Sequence, residues 1–344
     1  MAFWNYFIDE NALASIFSNF PLWGLLIVIA LVIAILSKGA DWLIDGAVGL
    51  ALKTKLPKIV IGATILSLGT TAPEAFVSIM AAFMGTPGLA LGNGVGSIIA
   101  DTGLIFGLTA LIAAPPMDKS VLNRTSRWQL GSAVLLVVLA SSTYILLPDG
   151  PVINRMMGLL LVVLLAIYLI TTYRWARNGI HTSAEEGMSE KPKLLPIILL
   201  EFFSGLILVI TASRLLVPAA VETARRFGVP NDIIATTMIA LGTSLPELST
   251  AIAAIRKGHP EITVGNIVGA DVLNTLFVIG MAAIAVPLAV PNNFFMLHFP
   301  TMLLILISFR IFISINTRGR FHRWQGAWLF SIYTCYIVLQ YVIL

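Results

Sequence analysis

The sequence predicts an all-α, polytopic membrane protein: ten transmembrane helices arranged as two inverted five-helix repeats, with helices 2, 3, 7 and 8 interrupted. Three observations carry that prediction. Of the 344 residues, 58% are hydrophobic and only 11% charged, with a mean hydropathy of +0.94; an ordinary soluble domain carries roughly 25% charged residues. Apolar stretches of about 20 residues, the length that crosses about 30 Å of hydrocarbon, follow one another along the chain. The chain also matches itself at an offset of 173 residues.

In order, the apolar stretches cover residues 21–50, 59–84, 89–114, 129–148, 153–173, 194–223, 232–255, 262–288, 293–314 and 324–343. The first twenty residues hold no Lys or Arg and no compact apolar core with a small-residue cleavage site, which argues against a cleaved leader. Basic residues near span ends stay on the cytoplasmic side. Of the 21 Lys and Arg, 15 fall on alternate loops: Lys53, Lys55 and Lys58; Lys119, Arg124 and Arg127; Arg174, Arg177, Lys191 and Lys193; Arg256 and Lys257; Arg318, Arg320 and Arg323. The opposite loops hold only Arg155, Arg225 and Arg226. The expected location is therefore a cell membrane, multi-pass, with both termini extracytoplasmic and an even number of spans. Trp23, Trp128, Trp175 and Trp324 near span ends fit an interfacial belt.

Topology explains the net charge of +4, and no basic cluster with interleaved aromatics points to nucleic acid. The single cysteine, Cys335, can form no internal disulfide and reads as a small packing residue. The histidines, His181, His259, His298 and His322, are scattered and suggest no His-based metal site.

Shifted by 173 positions, Ile61 to Ala110 align without a gap on Ile234 to Ala283, and 18 of the 50 positions are identical. They include Gly69/Gly242, Thr70/Thr243, Pro73/Pro246, Glu74/Glu247, Gly92/Gly265, Asn93/Asn266 and Gly96/Gly269. Five spans per half reverse the direction in which the second copy enters the bilayer. The expected organisation is a first repeat over 1–173 (spans 1–5), a polar cytoplasmic linker over 174–193 and a second repeat over 194–344 (spans 6–10). Inverted repeats around interrupted helices are a recurring plan of secondary transporters.

A carboxylate at the bilayer centre costs at least about 2.5 kcal/mol on insertion scales, so Glu74 and Glu247 call for a task or a partner. Each follows a proline that cannot donate to the carbonyl four residues before it, at Gly69 and Gly242. This predicts a break, with each glutamate in the first turn of a second half-helix. Freed carbonyls, Thr70, Thr71 and Glu74, with Thr243, Ser244 and Glu247 from the other copy, make an oxygen-rich set suited to hard cations such as Ca²⁺ and Na⁺. In the next span Asn93, Ser97 and Asp101 share one face, and Gly92 and Gly96 allow close helix approach. The second copy offers Asn266, Ala270 and Asn274. Helix packing alone also accounts for these glycines, and an interhelical hydrogen bond for the asparagines. Arg214 matches Asp41 at the same offset, a candidate ion pair, and Asp271 has no evident partner.

On these residues the chain resembles the cation/calcium antiporter superfamily, in its prokaryotic sodium/calcium exchanger branch. The resemblance spans the whole chain in span number and repeat order. It is sharpest in Gly69-Thr70-Thr71-Ala72-Pro73-Glu74 through Asp101 and Gly242-Thr243-Ser244-Leu245-Pro246-Glu247 through Asn274. It implies ion-binding roles for Thr70, Thr71, Glu74, Thr243, Ser244 and Glu247, completed by Ser97, Asp101 and Asn274. It also implies a cycle in which the first and sixth spans slide across the other eight. Three departures stand out. Thr71 replaces a usual serine, Ala270 replaces another, and the Asn and Asp that close the two repeats are exchanged as Asp101 and Asn274.

The implied activity is antiport of Ca²⁺ against Na⁺, with Ca²⁺/H⁺ or K⁺-linked antiport as the alternative and no cofactor. No phosphate-cradling loop suggests direct use of ATP. A cation channel could use the same oxygens, but fast conduction prefers weaker, multi-site binding. An intramembrane enzyme would need a nucleophile and base arrangement that the sequence does not offer.

Overall fold

The computed structural model describes residues 15–83, 87–146, 150–178, 193–228, 242, 244–316 and 319–343. These form ten helices of a dozen residues or more: α1 Leu22–Thr54, α2 Lys58–Phe83, α3 Pro87–Ala113, α4 Lys119–Leu146, α5 Arg155–Asn178, α6 Leu195–Arg226, α7 Leu245–Arg256, α8 Pro260–Ala285, α9 Phe294–Ile315 and α10 Arg323–Ile343. Among the described residues, α1, α2, α3, α5, α6, α8 and α9 are long and apolar enough to cross a membrane. Two short strands, β1 Val152–Ile153 and β2 Leu288–Ala289, pair antiparallel.

Hydropathy places the helices well and their ends less well. Helix α4 starts at Lys119, ten residues before the expected span, because Lys119, Arg124 and Arg127 stay helical. Long basic side chains can carry their charge away from the helix axis, and Arg124 does so over the Trp175 ring, 5.2 Å from its centroid. The first part of the span expected over 232–255 lies outside the described residues.

The interruptions expected in helices 2, 3 and 8 are not breaks. Ser67–Phe83 is a continuous α-helix with Pro73 inside it, and Glu74 therefore sits mid-helix. Proline costs such a helix about 3 kcal/mol, whereas a full break in hydrocarbon would strand several more backbone groups at several kcal/mol each. The irregularity appears instead as wide π turns, at Gly62–Leu66 in α2, Ala100–Phe106 in α3 and Asn274–Ile279 in α8. Such turns loosen the regular hydrogen-bond ladder without ending the helix and are frequent at functional sites. In α7 the described helix begins at Leu245, with Pro246 and Glu247 in its first turn as expected.

Helices α3 and α8 form the centre, 78% and 83% buried over their most apolar windows, while α1 and α6 are 28% buried. Glycine lets α2 and α8 touch backbone to backbone. A Cβ on Gly62 would lie 2.5 Å from the Ile262 carbonyl oxygen, and one on Gly265 2.0 Å from that of Ile59. Gly269 packs equally closely on Ala63. The matching glycines of the first repeat do not make such a contact with the described residues. Gly92 comes only within 3.9 Å of the Phe294 ring and Gly96 meets no described atom within 4 Å, and the close approach of α3 is made by Gly94 against Ile279.

Helices α1 and α6 pack antiparallel along their length. A Cβ on Gly205 would meet the Leu43 nitrogen at 2.3 Å, and one on Gly46 the Phe202 nitrogen at 2.5 Å. They share a smaller apolar cluster with Ile61 and Leu66 of α2, Ala253 and Ala254 of α7 and Ile262 of α8, beside the larger one formed by the other helices. Asp45 bonds Lys257 at 2.7 Å, and Asp41 faces Arg256 at 3.9 Å rather than Arg214. Connections meet in two groups. Lys58 pairs with Glu261 at 3.4 Å, and Pro116 bridges Arg320. Separately, β1 pairs with β2, and Arg226 donates to the Phe20 and Ser18 carbonyls at 2.6 and 2.9 Å. Cys335 is exposed on α10 rather than packed inside.

The α2–α8 contact gives a stability test. Gly265→Val forces a side chain into the Ile59 carbonyl and should cost about 1–3 kcal/mol. Gly131→Ala, which meets no described atom within 4 Å, should leave the thermal melting point in detergent unchanged or slightly raised.

Candidate cation site

The middle of α2 brings Thr70, Thr71 and Glu74 to the centre of the molecule, where all three are buried. Periodicity explains the arrangement: positions 67, 70, 71, 74 and 78 share one helix face, and all of them are buried. That face meets the polar stripe of α3. Ser97 donates to Glu74 Oε1 at 2.9 Å. Asn93 Nδ2 donates to Ser78 Oγ at 2.9 Å and, more weakly, to the Glu74 carbonyl at 3.4 Å. The second copy brings Ser244, Glu247 and Asn274 to the same centre, all buried. Thr243 lies outside the described residues.

The two copies meet crosswise. Asn274 lies beside Glu74, Ser244 beside Asp101, and Thr70 beside Glu247, so each repeat presents its polar groups to a carboxylate of the other. Among the acidic groups, Glu247 acts most strongly on both Glu74 and Asp101. The wide turns fall here: Asp101 is the second residue of the π stretch in α3 and Asn274 the first of that in α8.

Hydrogen bonding at this centre is incomplete. Among the described residues, Thr71 Oγ1, Glu74 Oε2, both oxygens of Asp101, Ser244 Oγ, both oxygens of Glu247 and the amide of Asn274 are buried without a partner. Among the described residues, no Lys, Arg or His forms an ion pair with any of these carboxylates. A buried polar atom costs about 1–3 kcal/mol when unsatisfied, and more when charged. Several at one point describe a place shaped for cations. No three acidic, His or Cys side chains converge there among the described residues. The arrangement therefore suits a cage that mixes carboxylate, hydroxyl and amide oxygens, as hard cations accept.

A sequence model of the family described as "Sodium/calcium exchanger protein" matches residues 24–174 and 197–342. This chain belongs to the sodium/calcium exchanger family. It is 34% identical to the inner membrane protein YrbG of Escherichia coli over 292 residues, covering 83% of this chain and 87% of that one. It is 27% identical to the sodium/calcium exchanger MaX1 of Methanosarcina acetivorans, covering 92% and 98%. Among solved structures, the sodium-calcium exchanger NCX_Mj, from crystals soaked with Na⁺ and Sr²⁺, superposes with a TM-score of 0.75 at 25% identity, covering 92% of this chain and 99% of that one. The chain is a membrane protein of a cation/calcium exchange family, whose members are transporters and not enzymes.

Thr102 and Gln129 escaped the sequence reading, which left Asp271 without a partner. Asp271 is 1% exposed, and its Oδ2 accepts hydrogen bonds from Thr102 and, at 2.6 Å, from Gln129 Nε2. An isolated acid in an apolar span marks Asp271 in the sequence. Thr102 and Gln129 carry no such mark, being 169 and 142 residues away.

The Asn93 bridge predicts a local effect. Asn93→Ala removes the donor to Ser78 and Glu74 and should cost about 1 kcal/mol, read as a lower melting point in detergent.

Proposed function

We propose that this exchanger-family protein moves Ca²⁺ against Na⁺ across a cell membrane by alternating access. The proposed ligands are Thr70, Thr71, Glu74, Ser97 and Asp101 from the first repeat and Thr243, Ser244, Glu247 and Asn274 from the second. The observation that carries the reading is the set of partnerless, buried oxygens of Thr71, Glu74, Asp101, Ser244, Glu247 and Asn274 gathered from both copies. Hydrocarbon surroundings make such a set costly without cations. The names of its relatives support calcium and sodium as the cargo: MaX1 and NCX_Mj are sodium/calcium exchangers.

In the proposed topology ten spans form two inverted repeats, 1–173 and 194–344, joined by a cytoplasmic linker over 174–193, with both termini outside. The antiparallel run of α1 against α6 supports inversion, since these helices open the two repeats. The two groups of contacting connections support the sidedness. Lys58–Glu261 and Pro116–Arg320 join segments that the basic residues assign to the inside, while β1–β2 and Arg226 with residues 18–20 join segments assigned to the outside. The low burial of α1 and α6, 28% against 78% and 83% for α3 and α8, supports their movement as a pair over the remaining helices.

Proteoliposomes test the coupling. With Na⁺ inside and Ca²⁺ outside, an outward sodium gradient should drive Ca²⁺ uptake; uptake indifferent to that gradient sinks the sodium reading. Glu74→Gln and Glu247→Gln should each lower uptake by at least about 10–100-fold, the loss that even an outer-shell partner causes at metal sites, with unchanged yield of folded protein. Transport at the wild-type rate in both removes them from the site. Ala270→Ser restores a hydroxyl in the second repeat and should lower the Na⁺ concentration that half-saturates exchange.

A further inference from the structure

Asp271 stands apart from the cage just described. The 173-residue repeat places Ile98 opposite it, so the motif shared by the two halves does not account for it. Its Oδ2 takes the hydroxyl of Thr102 on α3 and the amide of Gln129 on α4, and that amide also reaches Thr102 Oγ1 at 3.2 Å. Both donors are themselves buried. Oδ1 is buried with no partner. Two donors on one oxygen stabilise a negative charge, and the free oxygen leaves that charge uncompensated.

No described residue nearby neutralises it. The helices packed on α8 present Glu74 from α2, Asp101 from α3 and Glu247 from α7, all acidic, and the neutral Gln129 from α4. Arg124 and Arg127 on α4 are exposed, and Arg124 lies over Trp175. Arg310 of α9 is turned to Asn123 and Ser126, and the Tyr168 hydroxyl of α5 to the Ala63 carbonyl. Asp271 lies within electrostatic reach of Glu74 and Asp101. One free carboxylate oxygen with a few hydroxyls falls short of the six to eight oxygens that Ca²⁺ takes. A single positive charge is all the position can hold.

We propose that Asp271, held by Thr102 and Gln129, is a charge-compensation site that takes one monovalent cation, a proton or an alkali ion, in exchange for Ca²⁺ entering the adjacent cage. This rests on the calcium-exchange reading but not on sodium as the partner. A proton would form an O–H bond at Oδ1 and leave to water when Ca²⁺ arrives. An alkali ion would leave the same oxygen. Either way Ca²⁺ binding displaces one charge from a residue that is not a calcium ligand, through repulsion across the shared low-dielectric interior.

Asp271→Asn tests this on the full-length protein, because the amide oxygen can still accept from Thr102 and Gln129 while the charge is gone. In detergent, with a pH indicator, Ca²⁺ added to the wild-type protein should release about one proton more than it does from the variant. If the compensating ion is an alkali ion, proton release is equal and the variant instead loses the rise in half-saturating Ca²⁺ caused by added Na⁺ or K⁺ at fixed pH. Equal proton release together with equal alkali-ion dependence overturns the proposal. So does loss of Ca²⁺ binding in a variant that melts like wild type, since Asp271 would then be a calcium ligand. Should the asparagine variant misfold, Gln129→Met keeps the carboxylate and strips one donor. Proton release then moves to higher pH, or half-saturation by the alkali ion shifts, and wild-type values for both overturn the proposal. Sodium-independent Ca²⁺ uptake by wild-type liposomes would fell the sodium reading and leave these detergent measurements to decide on Asp271.

Discussion

Four carboxylates, Glu74, Asp101, Glu247 and Asp271, are buried in one interior, and no Lys, Arg or His pairs with any of them in the described residues. Like charges in a low dielectric repel strongly, and each loses its hydration as well. A soluble protein would answer with an arginine. Under the proposed function the answer is mobile positive charge, and the interior is stable only in company with the ions it carries. The same constraint accounts for the uneven hydrogen bonding of Glu74, one oxygen held by Ser97 and the other left open. The held oxygen fixes the direction in which the open one points.

Such a cluster survives only if the surrounding backbone is rigid, and glycine supplies that rigidity where α2 crosses α8. With Gly62 against Ile262 and Gly265 against Ile59, the two helices meet at van der Waals contact of their main chains. Little can move there without clash. The wide turns at Asp101 and Asn274 add loosened carbonyls next to the charged side chains, in the one setting where irregular backbone is tolerated at membrane depth. Helices α1 and α6 differ. Tightly joined to each other, they meet the core through a smaller apolar surface and through Asp41 and Asp45 at the end of α7, with Arg256 and Lys257. Partly exposed ion pairs of this kind are worth at most about 1 kcal/mol each, a cost that a conformational cycle can pay at every turnover.

Most of this was legible in the sequence because a polar residue is rare in an apolar chain. Glu74, Glu247, Ser97 and Asp101 stood out by composition, and the repeat made them pairs. What could not be read was whatever depends on a residue that is ordinary in itself. Pro73 reads as a helix breaker, yet a continuous helix loses fewer hydrogen bonds in hydrocarbon than a break would. Lys119 to Arg127 read as a loop, yet arginines with a tryptophan to rest on remain helical. Gly92 and Gly96 read as a packing pair by their spacing, although Gly94 makes the contact. Thr102 and Gln129 acquire meaning only from Asp271, which reaches them across the fold.

The two halves are related in sequence but unequal in charge, and the inequality bears on the counter-ion. Ser97 and Asp101 of the first repeat are matched in the sequence of the second by Ala270 and Asn274. The second repeat therefore lacks one hydroxyl and one carboxylate, and it carries in addition a carboxylate at Asp271 with no counterpart in the first. Asn274 faces Glu74, while Glu247 acts on both Glu74 and Asp101 and Asp271 acts on both as well, so the negative charges gather at one centre. A divalent ion balances two such charges and no more. Under the proposed calcium exchange the remaining charge calls for monovalent cations, and the number of counter-ions moved per Ca²⁺ would then depend on Asp101 and Asp271 more than on the glutamates the two repeats share.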